Sequence, residues 1–177
     1  MKNDFPTLWK ESLTFNGAGS PTVKLHQTTD SPLNDVSVGS ALVKPTTFDL
    51  PTLVDYEPAG FIATPVLKKF RGTTLPAMEG MKNFLNLLNA SNRQSYFIYC
   101  GLWKAAYCFP KGLQQNSIFG ASTNQTMVNA PDTVPLDVDD FVFLRPHQSE
   151  FVFLQFGNIL TIRKGQIVGE WSLLNNL

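Results

Sequence analysis

Five prolines between residues 44 and 76 limit what the middle of this chain can fold into. A long helix cannot run through them, because proline lacks the backbone N–H that a helix needs and its ring clashes with the preceding turn. The sequence therefore predicts an extended connection between two structural units, with one short strand at residues 60–64. The prolines are Pro45, Pro51, Pro58, Pro65 and Pro76.

Before this connection, two short apolar segments each run into a glycine-containing turn, at residues 16–20 and 39–40. Between the turns, Ser20 is a good helix N-cap and Pro21 suits the first helical position, so the sequence predicts a short helix over residues 21–28. The first part of the chain is thus predicted to run strand, turn, helix, strand, turn. The two predicted strands are residues 13–15 and 35–38.

After the connection, the pattern predicts one helix and then β structure. Apolar residues recur at helical spacing between residues 78 and 91, which predicts an amphipathic helix. Tight turns are predicted at residues 145–148 and at Lys164 and Gly165, where glycine supplies the positive φ of a two-residue turn. The polar stretch 114–131 is predicted to be a long loop or a pair of irregular strands. The predicted strands are residues 95–100, 104–109, 140–144, 150–156, 159–163 and 166–171.

The composition argues against several classes of partner. Lys+Arg and Asp+Glu are both 14 and the pI is about 6.7, so neither nucleic acid nor an anionic membrane surface is indicated. The first residues have no apolar core of a signal peptide, and no later stretch is apolar for long enough to span a bilayer, which predicts a cytoplasmic protein. In such a protein Cys100 and Cys108 are predicted to be buried thiols rather than a disulfide or a metal site.

The two glycine-containing turns are the first candidate binding site. Gly17 and Gly19 would let a phosphate approach backbone N–H groups with no Cβ in the way, although short glycine turns after strands are also common structural features. Gly39 and Ser40 form a second turn of the same kind. If the strands before the turns are neighbours in a parallel barrel, the turns share one edge and would form a common phosphate site. The pattern matches neither the dinucleotide fingerprint nor a Walker loop.

Two further residues could carry chemistry. His147 has Ser149 and Glu150 beside it and could be a metal ligand or an acid–base group, but a histidine in a turn is more often simply exposed. Lys104 is flanked by apolar residues, which could lower its pKa for catalysis, yet such lysines usually extend past the core to water.

Five sequence segments are informative as a set, because of the order in which they occur along the chain. They are NGAGS at 16–20, SVGSAL at 37–42, CGLWKA at 100–105, STNQ at 122–125 and DFVFLRPHQSE at 140–150. In this order and spacing they resemble the D-serine dehydratase and D-threonine aldolase family, also called D-serine deaminase-like proteins, whose architecture is of the alanine racemase type. The resemblance extends from about residue 12 to the end.

The resemblance implies an α+β fold that consists of the last strands and helices of an incomplete β/α barrel, followed by a C-terminal antiparallel β domain. Residues 1–75 would be the C-terminal part of the barrel that binds pyridoxal phosphate, with the crossing linker. Residues 76–177 would be the D-serine dehydratase-like β domain. The lysine that holds the cofactor in this family lies before the glycine-rich motif, so the chain would lack it.

The resemblance also implies site residues. Gly17, Gly19, Ser20, Gly39 and Ser40 would hold the phosphate of pyridoxal phosphate. Metal-dependent members bind a divalent ion, zinc or manganese, through a histidine and a cysteine or aspartate two residues later. The matching residues here are His147 and Ser149, and serine is a poorer ligand for these ions than thiolate or carboxylate.

Two functions follow as expectations. The first is the C-terminal part of a pyridoxal-phosphate lyase that acts on a D-amino or 3-hydroxy amino acid, dimeric in its intact form and inactive as this chain alone. The second is a non-catalytic β domain that serves as a binding or dimerisation module.

Overall fold

The computed structural model of the chain describes residues 2–71 and 94–173. These residues divide into two compact units, Met1–Ala59 and Gly60–Leu177. The helix predicted over residues 78–91 lies outside the described residues. None of the described helices is long and apolar enough to cross a membrane.

The first unit is built on a pair of short parallel strands. Strand β1 is Asn16–Gly17 and strand β2 is Asp35–Val36, and helix α1, Val23–Thr28, lies between them in the chain. Three 3₁₀ turns follow. A small apolar cluster forms the core of the unit. Its buried members are Val23, Ala41 and Leu53, and Val38, Phe48, Leu50 and Tyr56 pack against them.

The predicted order of strand, helix and strand is therefore found, but the first strand is not at residues 13–15. It lies at Asn16–Gly17, within the stretch that was predicted as a turn. The second strand is shorter than residues 35–38, and the helix begins later than predicted. The N-cap of α1 is Thr22, so the prediction that Ser20 caps this helix is wrong. The Ser20 hydroxyl is engaged elsewhere, as described below. Whether β1 and β2 are the last strands of a barrel stays a prediction.

The second unit contains a six-stranded antiparallel sheet with the order β5-β8-β3-β4-β7-β6. Alternate residues on its strands face a core in which Val66, Ile98, Val128 and Val142 are fully buried. The strands are β3 Ile62–Arg71, β4 Gln94–Tyr99, β5 Ala105–Phe109, β6 Gln114–Gln115, β7 Gln125–Ala130 and β8 Phe141–Pro146.

The end of the described chain differs from the prediction at one element. Residues 150–156 were predicted to be a strand that follows a tight turn, but β8 is followed by helix α2, Ser149–Phe153. Its buried residues, Ser149 and Val152, are three positions apart, which is a helical spacing. The alternating aromatic residues Phe151 and Phe153 gave the appearance of a strand.

The last two strands form a separate hairpin as predicted. Strand β9 is Ile159–Arg163, and strand β10 is Gln166–Trp171. Lys164 and Gly165 join them, both with positive φ, 51° and 77°, which is the conformation of a type I′ turn. Mostly β structure with a few short helices agrees with the predicted α+β class. The predicted domain limits of 1–75 and 76–177 stay a prediction.

Candidate functional site

Within the first unit, the parallel pairing places the two glycine-containing turns side by side. Asn16 pairs with Asp35 and Gly17 with Val36, so both strands end at the same edge and the turns that follow them are neighbours. The pairing continues past the strands, because the Ser37 N–H donates to the Gly17 carbonyl at 3.0 Å. The predicted approach of the two turns is thus found.

The first turn has a backbone that few residues adopt. Ala18 and Gly19 are consecutive residues with positive φ, 65° and 152°. The space around Gly19 would admit a side chain, but its φ is one that favours glycine. Gly17 is a glycine for a different reason, since a Cβ would lie 3.0 Å from a methyl carbon of Leu33. Packing alone therefore explains Gly17, whereas the backbone conformation explains Gly19.

A buried hydrogen bond joins the two turns. The Ser20 side chain is 8% exposed, and its Oγ accepts a hydrogen bond from the Ala41 N–H at 3.0 Å. Ala41 is itself buried and follows directly after Ser40. Because Oγ is the acceptor in this contact, the hydroxyl hydrogen of Ser20 remains available as a donor.

The second turn is open on one side. A Cβ at Gly39 would meet no atom within 4 Å, and the backbone angles of Gly39 are φ −126° and ψ −81°, outside the helical and extended regions. Packing therefore does not explain a glycine here. An anion held against the backbone would explain it, because a side chain at this position would occupy the space beside the turn.

Backbone donors are available at both turns. Among residues 2–71 and 94–173, the N–H groups of Ala18, Gly19, Ser20 and Gly39 donate to no protein acceptor. A phosphate accepts several such bonds, and glycine at the turn lets it come close. The donor set therefore fits the phosphate of pyridoxal phosphate. The six-residue helix α1 is too short to contribute a site of its own.

Lys44 is a residue that the sequence analysis missed. It is 8% exposed, its φ is 42°, and its Nζ donates to the Tyr56 carbonyl at 2.5 Å. Its backbone N–H donates to the Ser40 carbonyl at 2.8 Å, which fixes the chain on leaving the second turn. No spacing motif marks this lysine, since these two hydrogen bonds go to backbone carbonyls, which any residue type supplies.

In the second unit, His147 and Ser149 lie at the junction between β8 and α2. The His147 N–H donates to the Lys104 carbonyl at 2.7 Å, and Ser149 is buried as the first residue of α2. The described parts of the chain contain no group of three or more His, Cys, Asp or Glu residues that could hold a metal. Zinc sites use three or four protein ligands, so this pair does not fit one by its donor chemistry. The metal stays a prediction.

Lys104 and the two cysteines have defined surroundings in this unit. The ammonium of Lys104 lies 5.0 Å from the centre of the Phe151 ring, which is a cation–π contact, and a catalytic role for it stays a prediction. Both cysteines are free thiols. Cys100 is buried, its thiol lies 2.9 Å from the Gly101 carbonyl oxygen, and burial raises its pKa. Cys100 thus agrees with the predicted buried thiol, whereas Cys108 is only partly buried.

Comparison with known proteins gives one kind of match. No protein-family model matches the chain, and no curated protein sequence matches it. Among solved structures, the crystal structure of D-threonine aldolase from Filomicrobium marinum aligns with 90% of this chain, with a TM-score of 0.61 and 13% sequence identity. The chain spans 40% of the length of that structure. At this identity the likeness shows a shared fold, which supports the resemblance in fold that the sequence motifs implied.

Proposed function

We propose that this chain supplies the phosphate-binding turns and the C-terminal β domain of a pyridoxal-phosphate lyase of the D-serine dehydratase and D-threonine aldolase type. The observation that carries the proposal is the pair of glycine turns joined by Ser20 and Ala41, with N–H donors available at both. The fold likeness to a D-threonine aldolase over 90% of the chain supports the choice of family.

In this proposal each residue has a limited task. The N–H groups of Ala18, Gly19 and Gly39 and the Ser20 hydroxyl donate to the phosphate oxygens, and Ser40 completes the second turn. Pyridoxal phosphate, when bound, supplies an electron sink for cleavage of a bond at the α carbon of an amino acid. The substrate class would be D-amino or 3-hydroxy amino acids.

We expect no turnover from this chain alone. A β/α barrel closes with eight parallel strands, and one parallel pair lies among the described residues of Met1–Ala59. The chain also corresponds to less than half of the matched structure.

The test uses 4-deoxypyridoxine 5′-phosphate, which keeps the ring and the phosphate of the cofactor but lacks the aldehyde that reacts with lysines. The matched probe is 4-deoxypyridoxine, which lacks the phosphate. Binding is followed by two-dimensional NMR of the backbone amides. We expect the phosphorylated probe to shift the Ala18, Gly19 and Gly39 amides and the other probe to leave them in place. Equal binding of the two probes, or shifts confined to other residues, would contradict the phosphate site.

One observation favours the alternative of a dimerisation module. On the β9–β10 hairpin, Leu160, Ile162 and Ile167 are 54%, 62% and 65% exposed, and Ile162 is paired with Ile167. An isolated two-stranded hairpin is marginally stable in water, so a second copy that covers these side chains would stabilise it. Light scattering coupled to size-exclusion chromatography tests this. We expect a wild-type dimer and an Ile162→Asp monomer, and a wild-type monomer would contradict the module.

A further inference from the structure

A cavity of about 460 Å³ lies on the side of the six-stranded sheet that faces away from the core. Phe97 of β4 is paired with Lys68 of β3 and with Met127 of β7, so these three side chains are neighbours on one face. Tyr96 and Ile98, the residues on either side of Phe97, belong to the core. The cavity is therefore distinct from the core and is formed by the outer face of the sheet. The segment between β6 and β7 provides its other wall.

Buried asparagines hold that segment in place. The Asn116 side-chain carbonyl accepts hydrogen bonds from the Ile118 and Phe119 N–H groups at 2.9 and 3.0 Å. The Asn116 side-chain amide donates to the side-chain oxygen of Asn129, Oδ1, at 2.8 Å. The side-chain amide of Asn129 donates in turn to Ser95 Oγ at 2.9 Å. This chain of bonds connects the segment to β7 and β4. The wall that carries Phe119 is thus fixed before any ligand arrives.

The cavity lining has a clear chemical character. Phe97 and the 43% exposed Phe119 provide aromatic surface, and Met127, which is 5% exposed, adds its thioether, which makes favourable contacts with aromatic rings. Among the described residues that line the cavity, Lys68 is the one that carries a charge and none is a carboxylate. Among the described residues Lys68 has no ion-pair partner. Gln125, Ser122 and Gly120 complete the lining with polar groups.

From this lining we infer that the cavity binds an aromatic monocarboxylate. The ring packs on Phe97, Phe119 and Met127, and the carboxylate pairs with the Lys68 ammonium. The positive charge of Lys68 matches one negative charge on the ligand. A volume of about 460 Å³ lies in the usual range for small-molecule sites. The inference does not depend on the glycine turns or on pyridoxal phosphate.

The test compares 3-phenylpropionate with its neutral amide, 3-phenylpropionamide, on the full chain. Binding is followed by the methyl resonance of Met127 in a methyl-labelled sample and by titration for affinity. Lys68→Gln removes the charge, and Lys69→Gln is the matched control. Lys69 is the next residue on the same strand and pairs with Asp137 at 3.4 Å, outside the cavity lining.

We expect 3-phenylpropionate to shift the Met127 methyl and to bind about tenfold more tightly than the amide. We expect Lys68→Gln to abolish that preference and Lys69→Gln to preserve it. Three outcomes would each overturn the inference: no shift at millimolar probe, equal affinity for acid and amide, or equal effects of the two lysine variants. Circular dichroism of both variants verifies that they are folded, as expected for exposed lysines.

Discussion

The hydroxyl oxygen of Ser20 lies 3.0 Å from the backbone nitrogen of Ala41, and this contact joins the two turns through residues that are 21 positions apart in the chain. Both residues are buried, so water cannot replace either partner. The geometry of each turn therefore depends on the other.

Ser20→Ala should reveal this dependence. The substitution leaves the buried Ala41 N–H without an acceptor, which costs about 1–3 kcal/mol. Urea denaturation should show that loss, and binding of 4-deoxypyridoxine 5′-phosphate should weaken as well. Ser37→Ala is the control, because the Ser37 hydroxyl donates to Asn16 at an exposed position. Equal stability of the Ser20 and Ser37 variants would contradict the role of the buried contact.

Gly39→Ala should separate phosphate binding from folding. A Cβ at this residue meets nothing within 4 Å, so the methyl group clashes with no protein atom and the free energy of unfolding should change by less than about 1 kcal/mol. Affinity for the phosphorylated probe should fall, because the methyl group enters the space beside the turn. Gly19→Ala provides the contrast, since its φ of 152° makes that variant less stable as well. Unchanged affinity in Gly39→Ala would argue against this turn as a binding site.

The pKa of Tyr107 is raised to about 12, chiefly by burial and in addition by the nearby Cys100 thiol. The unfolded chain has a tyrosine pKa of about 10. Between about pH 10 and about pH 12 the tyrosine is deprotonated in the unfolded chain while Tyr107 is still protonated in the folded chain. Deprotonation therefore favours the unfolded state, so the stability that Tyr107 contributes falls as pH rises from about 10 to about 12 and does not change below about pH 10. Urea denaturation at pH 9, 10 and 11, on the wild type and Tyr107→Phe, measures this. The wild type should lose more stability than the variant over that interval, and parallel curves would contradict the assignment.

Asn116→Ala should loosen the segment between β6 and β7, which forms one wall of the cavity on the outer face of the sheet. It removes the acceptor of the Ile118 and Phe119 N–H groups and one partner of the buried Asn129. We expect a loss of about 2 kcal/mol in the free energy of unfolding and faster hydrogen exchange at Phe119. Asn124→Ala, in the exposed part of the same segment, should change neither by a comparable amount. Slow exchange at Phe119 in Asn116→Ala would show that other contacts hold the wall.

The sequence could predict those parts of the structure that are determined by contacts between residues close together in the chain. The Lys164 and Gly165 turn was predicted correctly, because a two-residue turn is set by the φ values of its own residues. The proximity of the glycine turns was predicted on the condition that the strands before them are neighbours in a parallel barrel, and the parallel pairing of β1 with β2 brings the turns together. Lys44 could not be found in this way, because its partner, the Tyr56 carbonyl, lies 12 residues away.

Two elements show the opposite case. Ser20 has the chemistry of an N-cap, but a long-range N–H competes for the same oxygen and the helix begins at Val23 instead. Strand β7 lies in the stretch 114–131, which was predicted as a long loop or a pair of irregular strands, and β6 and β7 agree with the second alternative. Its polar residues Thr126 and Asn129 are the reason that the sequence could not decide between the two. Both are buried in the strand because partners on other segments accept and donate their hydrogen bonds.

One residue of β3 has a consequence for how this sequence could vary in length. Val66 is paired with Ile98 and Lys68 with Phe97, so Leu67 is an extra residue in the ladder, a β-bulge. Deleting one residue from a regular strand moves every later side chain to the opposite face. Deleting Leu67 would instead restore regular alternation and leave Lys68 and Phe70 on their present side. Position 67 is therefore where this strand tolerates the loss of one residue.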